Sequence, residues 1–265
     1  MSLTRTELKD IQSLLTKKGR KQQKKFLAEG VRLLEEALRH AVQPERLFLT
    51  PAGLSPRGEE MARLFRSRGV SVDELSARQL ESLSDTKTPQ GMIGLFRIPS
   101  TVQGELSLTR IRNILVCENV GDPGNMGTLI RSALAFGFSA IVTVGETAEP
   151  FSPKVVRSSA GTIFGVTVIS MTREQVLAFV DSSGSVLIAA TPHGNVSMPG
   201  LTETAGQRQL LLVVGSEADG ISAEMLNAAR IKVRIGHDKQ VESLNVAVAG
   251  SILMKEIYSS CTENK

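Results

Sequence analysis

No tryptophan occurs among the 265 residues, tyrosine occurs once, and aromatic residues make up only 4%. Few side chains can therefore stack on unpaired bases, so any nucleic acid held by this chain must be read chiefly through its phosphates and its shape. There are two cysteines, Cys117 inside an apolar run and Cys261 in the polar tail, too few for a disulfide framework or a thiolate zinc site. The three histidines, His40, His193 and His237, stand far apart without ligand spacing, and no paired carboxylates suggest a metal, so none is expected. No uninterrupted apolar run approaches the roughly 20 residues that span a bilayer. The opening MSLTRTELKDIQSLL carries scattered charges and no apolar stretch ending in small residues, unlike a secretory leader. These absences lead to the expectation of a soluble, cytoplasmic protein with no membrane partner.

An apolar content of 41% is too high for a disordered chain, and the length suits two domains, each with its own core. Net charge is only +4, but it is unevenly distributed. Residues 1–110 hold 19 Lys and Arg against 13 Asp and Glu, and the remainder holds 12 against 14. Within the basic half, KKGRKQQKK places Lys17, Lys18, Arg20, Lys21, Lys24 and Lys25 together with no acid between them. That density suits a phosphate backbone, and it also suits a merely solvated helix face; composition leaves both open.

The first half alternates helical and strand patterns. EGVRLLEEALRHA and RGEEMARLFRSRG read as helices, and RLFLT, VSVDEL and GMIGLFRI as short strands, giving a small α/β domain over 1–98. PSTVQGELSLT mixes Pro, Gly, Ser and Thr without periodicity, so 99–110 reads as a linker. From 111 to 265 the alternation is regular: ILVCENV, AIVTVG, VTVIS, VLIAAT, LLLVVG and IKVRIG are strand-like, with helical stretches between most of them and a last helix beginning near Ser243. Near-continuous Val/Ile/Leu strands of this kind form parallel sheets covered on both faces.

Parallel α/β sheets bind ligands where strand carboxyl ends feed loops and helix N-termini, and three such turns combine glycine with polar residues. The first runs from Glu118 through Gly121, Asp122, Gly124, Asn125 and Gly127 to a helix carrying Arg131; its glycines let backbone approach an anion. A capped tight turn explains those glycines equally, but not an arginine amid Leu129, Ile130, Ala133 and Leu134. The turn is neither GxGxxG nor a P-loop. The second follows a buried strand with Gly215, Ser216, Glu217 and Gly220, and the third joins Ile235 to Ser243, Leu244 and Asn245. Glu217 could be only a cap and Ser243 only an N-cap, whereas Asn245 among apolar residues asks for another explanation.

Taken together, these motifs resemble the SpoU (TrmH) family of RNA ribose methyltransferases, of the SPOUT class. The motifs appear in order as Asn125, Gly127 and Arg131; Gly215, Glu217 and Gly220; and Ser243, Leu244 and Asn245, with Arg157-Ser158-Ser159-Ala160-Gly161 as a less diagnostic fourth. The likeness covers roughly 111–258, and 1–98 resembles the small ribosomal-protein-like, substrate-binding domain that some members carry in front. Ser216, where the family usually has Asn, and Gly236-His237, where it usually has Pro-Met, depart from the pattern.

The resemblance implies a deep trefoil knot and a homodimer formed through the knotted domain. It also implies S-adenosylmethionine held by Gly215, Ile235 and Leu244, with Thr191 as a further contact. Transfer would go to a ribose 2′-hydroxyl, with Arg131 aided by Asn125, Glu217, Ser243 and Asn245. Because an arginine titrates far too high for an ordinary base, Arg131 is expected to orient the hydroxyl and a neighbouring phosphate. RNA would be held by Lys17, Lys18, Arg20, Lys21, Lys24, Lys25 and Arg157, and members with such a front domain point to 23S rRNA. Three alternatives stay open: a tRNA 2′-O-methyltransferase, a non-catalytic RNA-binding protein retaining the fold, and a nucleotide-dependent enzyme using the 121–127 turn, with Glu146 or Glu149 on a ribose.

Overall fold

The computed structural model describes residues 3–100, 108, 111, 113–194, 196, 208–216, 218–238 and 240–262. It divides into two compact units, Met1–Ile98 with Glu149–Gly165, and Pro99–Ala148 with Val166–Lys265. The segment 149–165, continuous in sequence with the second half, thus clusters with the first unit. Its hold there is aromatic and ionic: Phe151 and Phe164 lie 5.0 and 6.0 Å from Phe26 by ring centroid, and Glu149 pairs with Arg20. Most of the predicted linker lies outside the described residues.

The first unit contains α1 (Arg5–Ser13), α2 (Lys17–Gln23), β1 (Lys25–Glu29), α3 (Val31–Arg39), β2 (Arg46–Leu49), α4 (Pro56–Ser67), β3 (Ser71–Glu74), α5 (Ala77–Glu81), β4 (Met92–Arg97) and, from the later segment, α7 (Pro153–Ser158). Its sheet runs β1-β4-β2-β3, with only β2 and β3 parallel. Helices α1, α2 and α5 and strand β1 add to the elements expected from periodicity. All are short, and local hydrogen bonds define the helix starts better than periodicity does. Thr4 and Glu7 form a capping box at α1, Ser76 and Gln79 another at α5, and Thr16 accepts from the Gly19 N–H at α2. The helix that opens at Pro153 stops at Ser158, because Ala160 and Gly161 both take positive φ, 52° and 91°, before a short 3₁₀ turn.

The second unit contains β5 (Asn113–Glu118), α6 (Pro123–Ala135), β6 (Ala140–Val144), β7 (Thr167–Ser170), α8 (Arg173–Ser183), β8 (Val186–Ala190), β9 (Leu210–Val214), α9 (Ala223–Ala228), β10 (Ile231–Val233) and α10 (Val246–Thr262). All its strands are parallel, in the order β10-β8-β9-β5-β6-β7. Strands β5, β6 and β9 are buried along their whole length, as expected of central strands covered on both faces. From β5 the chain steps outward to β6 and β7, then crosses to β8 beyond β9. The carboxyl ends of β8, β9 and β10 therefore gather beside the point where the winding reverses.

The last helix starts at Val246 rather than near Ser243, because Asn245 is its cap: the Asn245 Oδ1 accepts from the N–H groups of Ala247 (2.9 Å) and Val248 (3.2 Å). Helix α10 returns across β8 and β9 to pack on α6. Gly250 makes that approach close, since a Cβ there would sit 2.6 Å from Leu129 Cδ2, and the Ser132 and Ser251 hydroxyls meet at 2.7 Å.

Candidate active-site cleft

The strand ends of the second unit enclose a cleft of about 420 Å³, within the range of small-molecule sites. One wall is Ala190, Thr191 and His193 after β8, another Val214, Gly215, Ser216 and Gly220 after β9, and a third Val233, Ile235 and His237 after β10. Ser243 and Leu244, in the segment before α10, and Leu253 within α10 close it. Thus the structure brings Thr191, Gly215, Ile235 and Leu244, which lie up to 53 positions apart, onto one cavity together with Ser243.

Backbone shapes these walls more than side chains do. A Cβ on Gly215 would lie 2.2 Å from the Gly220 carbonyl carbon and oxygen and 2.5 Å from the Ile221 nitrogen, so the turn folds back on itself with room only for glycine. The turn is closed by the Gly220 N–H donating to the Ser216 carbonyl (3.0 Å) and the Asp219 N–H donating to the Ser216 hydroxyl (2.9 Å). The loops after β8 and β10 are joined by the Thr191 N–H donating to the Val233 carbonyl at 3.0 Å and by a bridge between Val196 and Val233. His237 Nδ1 stands 3.0 Å from the Ile235 carbonyl, holding the third wall's exit.

The first and third motifs meet directly. Asn245 Nδ2 donates to Asn125 Oδ1 at 3.0 Å while its own oxygen caps α10, so one side chain both starts the helix and ties it to α6. Asn125 is itself placed at the opening of α6, where its N–H donates to the N-cap carboxylate of Asp122 at 2.8 Å. Arg131 lies further along α6 on an exposed position; it does not line the cleft and, among the described residues, enters no ion pair. Glu217 lies outside the described residues.

Two arrangements escaped the sequence reading. Glu118, the last residue of β5, is fully buried; its Oε1 accepts from Arg173 Nε at 2.5 Å and its Oε2 from the Ser222 N–H at 2.9 Å. The carboxylate in turn holds the Arg173 guanidinium more firmly charged than usual. Asn119, at φ 53°, accepts from the Glu146 N–H (2.9 Å), and Thr147 Oγ1 donates to the carbonyls of Cys117 (3.0 Å) and Val144 (2.8 Å), so the first motif's entry is fastened on both sides. An acid at a strand's end is the available sequence signal for Glu118; its partners, 55 and 104 positions away, are not readable without the fold.

In the first unit the basic cluster separates into two roles. Lys17, Lys18, Lys21 and Lys24 are exposed and, among the described residues, enter no ion pair. Arg20 points inward, its side chain 4% exposed; it binds Glu149 through two nitrogens (2.8 and 2.6 Å) and donates to the Leu14 carbonyl (2.6 Å). That placement corrects the expectation that Arg20 faces RNA: although Arg20 lies one turn from Lys17 on the same helix, its guanidinium is taken up by the half-buried Glu149 carboxylate and the Leu14 carbonyl, while Lys17 and Lys21 stay exposed. Lys25 pairs with Glu45 at 2.6 Å and Arg157 with Asp85 at 2.9 Å. The Arg20 pair also removes Glu149 from the nucleotide-dependent alternative.

Among the described residues no cluster of three or more His, Cys, Asp or Glu could hold a metal, and no helix is long and apolar enough to cross a membrane. A parallel sheet with a backbone-walled cleft at its carboxyl edge, entered by glycine-bearing turns, is the arrangement in which α/β proteins hold small molecules. Comparison with known proteins makes the class specific. Residues 112–255 match the model of the SpoU rRNA Methylase family, and residues 5–94 match the MRM3-like substrate binding domain. The 23S rRNA (guanosine(2553)-2′-O)-methyltransferase RlmP of Bacillus subtilis is 31% identical over 94% of this chain and 94% of its own. Human mitochondrial rRNA methyltransferase 3 is 28% identical over 89% of this chain and 68% of its own. The AdoMet-bound rRNA methyltransferase from Sinorhizobium meliloti superposes with a TM-score of 0.83 at 29% identity, covering 98% of this chain and 96% of that one. This chain belongs to the SpoU rRNA methylase family.

Proposed function

We propose that this methyltransferase moves the methyl group of S-adenosylmethionine onto a ribose 2′-hydroxyl of 23S rRNA. The observation that carries the reading is the convergence of Thr191, Gly215, Ile235 and Leu244 on one cleft at the sheet's carboxyl edge. Its residues fit the cofactor: Val214, Ile221, Leu226 and Leu253 give apolar walls for the adenine faces, while the strand-end backbone supplies donors and acceptors for ring edges and ribose. When bound, S-adenosylmethionine supplies a sulfonium-activated methyl group.

The chain's own residues bind and orient. Ser243, on the cleft, and the Asn125–Asn245 pair hold the acceptor ribose beside it. Arg131 offers a planar fork of N–H donors to the hydroxyl oxygen and an adjacent phosphate; as the new oxygen–methyl bond forms and the carbon–sulfur bond breaks, the hydroxyl proton leaves to water. Glu217 follows Gly215 closely enough in sequence to share in that network. Positioning of this kind can supply much of the barrier reduction for an in-line displacement. Lys17, Lys18, Lys21 and Lys24 hold RNA phosphates; Lys25 and Arg157 have weaker claims because carboxylates already pair with them.

The protein acts as a homodimer joined through the methyltransferase domain, the C-terminus is threaded through a trefoil knot, and it works in the cytoplasm. Support for the dimer comes from Val248 and Ile252, 49% and 37% exposed one turn apart on α10, and from Arg131 not lining the cleft of its own chain. The knotted path is supported by α10 crossing back from edge strand β10 to pack on α6.

The test is calorimetric titration with S-adenosylmethionine, followed by incubation of the protein and methyl-labelled cofactor with purified 23S rRNA, 16S rRNA and tRNA from cells lacking the enzyme. Label in 23S rRNA alone is expected. Label only in tRNA would overturn the substrate, and cofactor affinity without transfer to any RNA would favour a non-catalytic RNA-binding protein.

A further inference from the structure

We infer that Glu118 is a positioning residue for the cofactor: its buried carboxylate braces the turn after β9 against the end of β5 and so sets the shape of the cleft wall. The inference rests on the reading of that cleft as the S-adenosylmethionine site.

Three observations converge. Glu118 is wholly buried, and its two oxygens serve different elements, Arg173 at the start of α8 and the Ser222 N–H at the cap of α9. Ser222 directly follows Ile221, which lines the cleft and is only 7% exposed. The turn is so tight that the position of the Ile221 nitrogen fixes that of Gly215, since no Cβ fits between them. A displacement at Ser222 therefore passes to Gly215 and Gly220, both on the wall, with no slack to absorb it.

Glu118→Gln separates this role from plain stability. The amide keeps the shape but has one acceptor oxygen for two donors, and its NH₂ must face either Arg173 or the Ser222 N–H. Arg173→Gln removes the ionic partner and leaves the bond to Ser222 in place. Ser222→Pro removes the N–H that Glu118 accepts from, at a φ of −59° that proline adopts, and Ser222→Ala keeps that N–H while losing only the hydroxyl cap.

The experiment is calorimetric titration of S-adenosylmethionine into the full-length wild type and the four variants, with thermal melts and with kcat measured at saturating cofactor. Glu118→Gln and Ser222→Pro are expected to weaken cofactor binding about tenfold, the size of one lost charge-assisted hydrogen bond, with kcat at saturation largely kept. Arg173→Gln and Ser222→Ala are expected to bind within about threefold of wild type even where their melting temperatures fall. Unchanged affinity in Glu118→Gln and Ser222→Pro would overturn the brace, as would Arg173→Gln losing as much affinity as Glu118→Gln. Should Glu118→Gln not fold, the Ser222 pair alone decides by the same criterion. A wild type that does not bind the cofactor would overturn the cleft assignment and the brace with it.

Discussion

Replacing Arg20 with methionine tests whether the basic N-terminal cluster is divided between holding RNA and holding the fold. The guanidinium is 4% exposed and makes three hydrogen bonds, two to Glu149 and one to the Leu14 carbonyl, itself part of a fully buried residue. Removing one partner of a buried pair costs about 3–5 kcal/mol when the other is left wholly dry. Glu149 retains 22% exposure and some water, so about 2–4 kcal/mol is expected for Arg20→Met. For a cooperative unit of this size roughly 4 °C accompanies each kcal/mol, giving a melting temperature lower by about 8–16 °C. Filter binding to 23S rRNA at low salt, measured below the melting range, should stay within about threefold of wild type because the exposed lysines are untouched. Changing Glu149 to leucine in the same chain should restore part of the loss by removing the orphaned carboxylate. An unchanged melting temperature together with a tenfold loss of RNA affinity would refute the reasoning and return Arg20 to the RNA-facing set.

Changing Lys17 and Lys21 together to alanine should weaken RNA binding and flatten the dependence of log K on log salt by about 1.4–1.8, the contribution of two phosphate contacts, with cofactor affinity unchanged. Gly215→Ala should abolish measurable cofactor binding by calorimetry, because the added Cβ meets backbone atoms at 2.2 Å that cannot yield. Asn245→Asp should keep the cap of α10 and the melting temperature within about 1 kcal/mol of stability, yet lose most of kcat by losing the donor to Asn125. Burial pushes the Cys117 thiol from its ordinary 9.0 up to about 12. Its pKa is raised on folding, so its contribution is complete below about pH 9 and is lost as the pH rises toward 12, where only the unfolded chain ionises first. Urea titrations should therefore show stability declining above pH 9, less steeply in Cys117→Ala.

The parallel sheet was legible because β5, β6 and β9 carry near-continuous Val, Ile and Leu, a pattern that fits burial on both faces. The ligand edge was legible because glycine-bearing turns follow buried strands there; Gly215, Ile235 and Leu244 were named through the family resemblance, and all three line the one cleft. The starts of the short N-terminal helices were not, since a side-chain cap over one or two turns leaves no period to read. Arg20 and Lys21 are adjacent in the sequence and identical in charge, and only the partner at Glu149, 129 positions away, separates a buried staple from an exposed cation. The same long range hid Glu118, and it moved 149–165 to the first unit, since sequence continuity says nothing about which core Phe151 and Phe164 will join.

The central claim, methylation of a ribose hydroxyl, is tested most directly by digesting labelled 23S rRNA with alkali after incubation with the enzyme and methyl-labelled S-adenosylmethionine. A 2′-O-methyl group blocks cleavage at its own nucleotide, so the label should appear in a single alkali-resistant dinucleotide and be absent when Arg131→Lys replaces the wild type. Label released in a mononucleotide, which places the methyl on a base, would contradict the account.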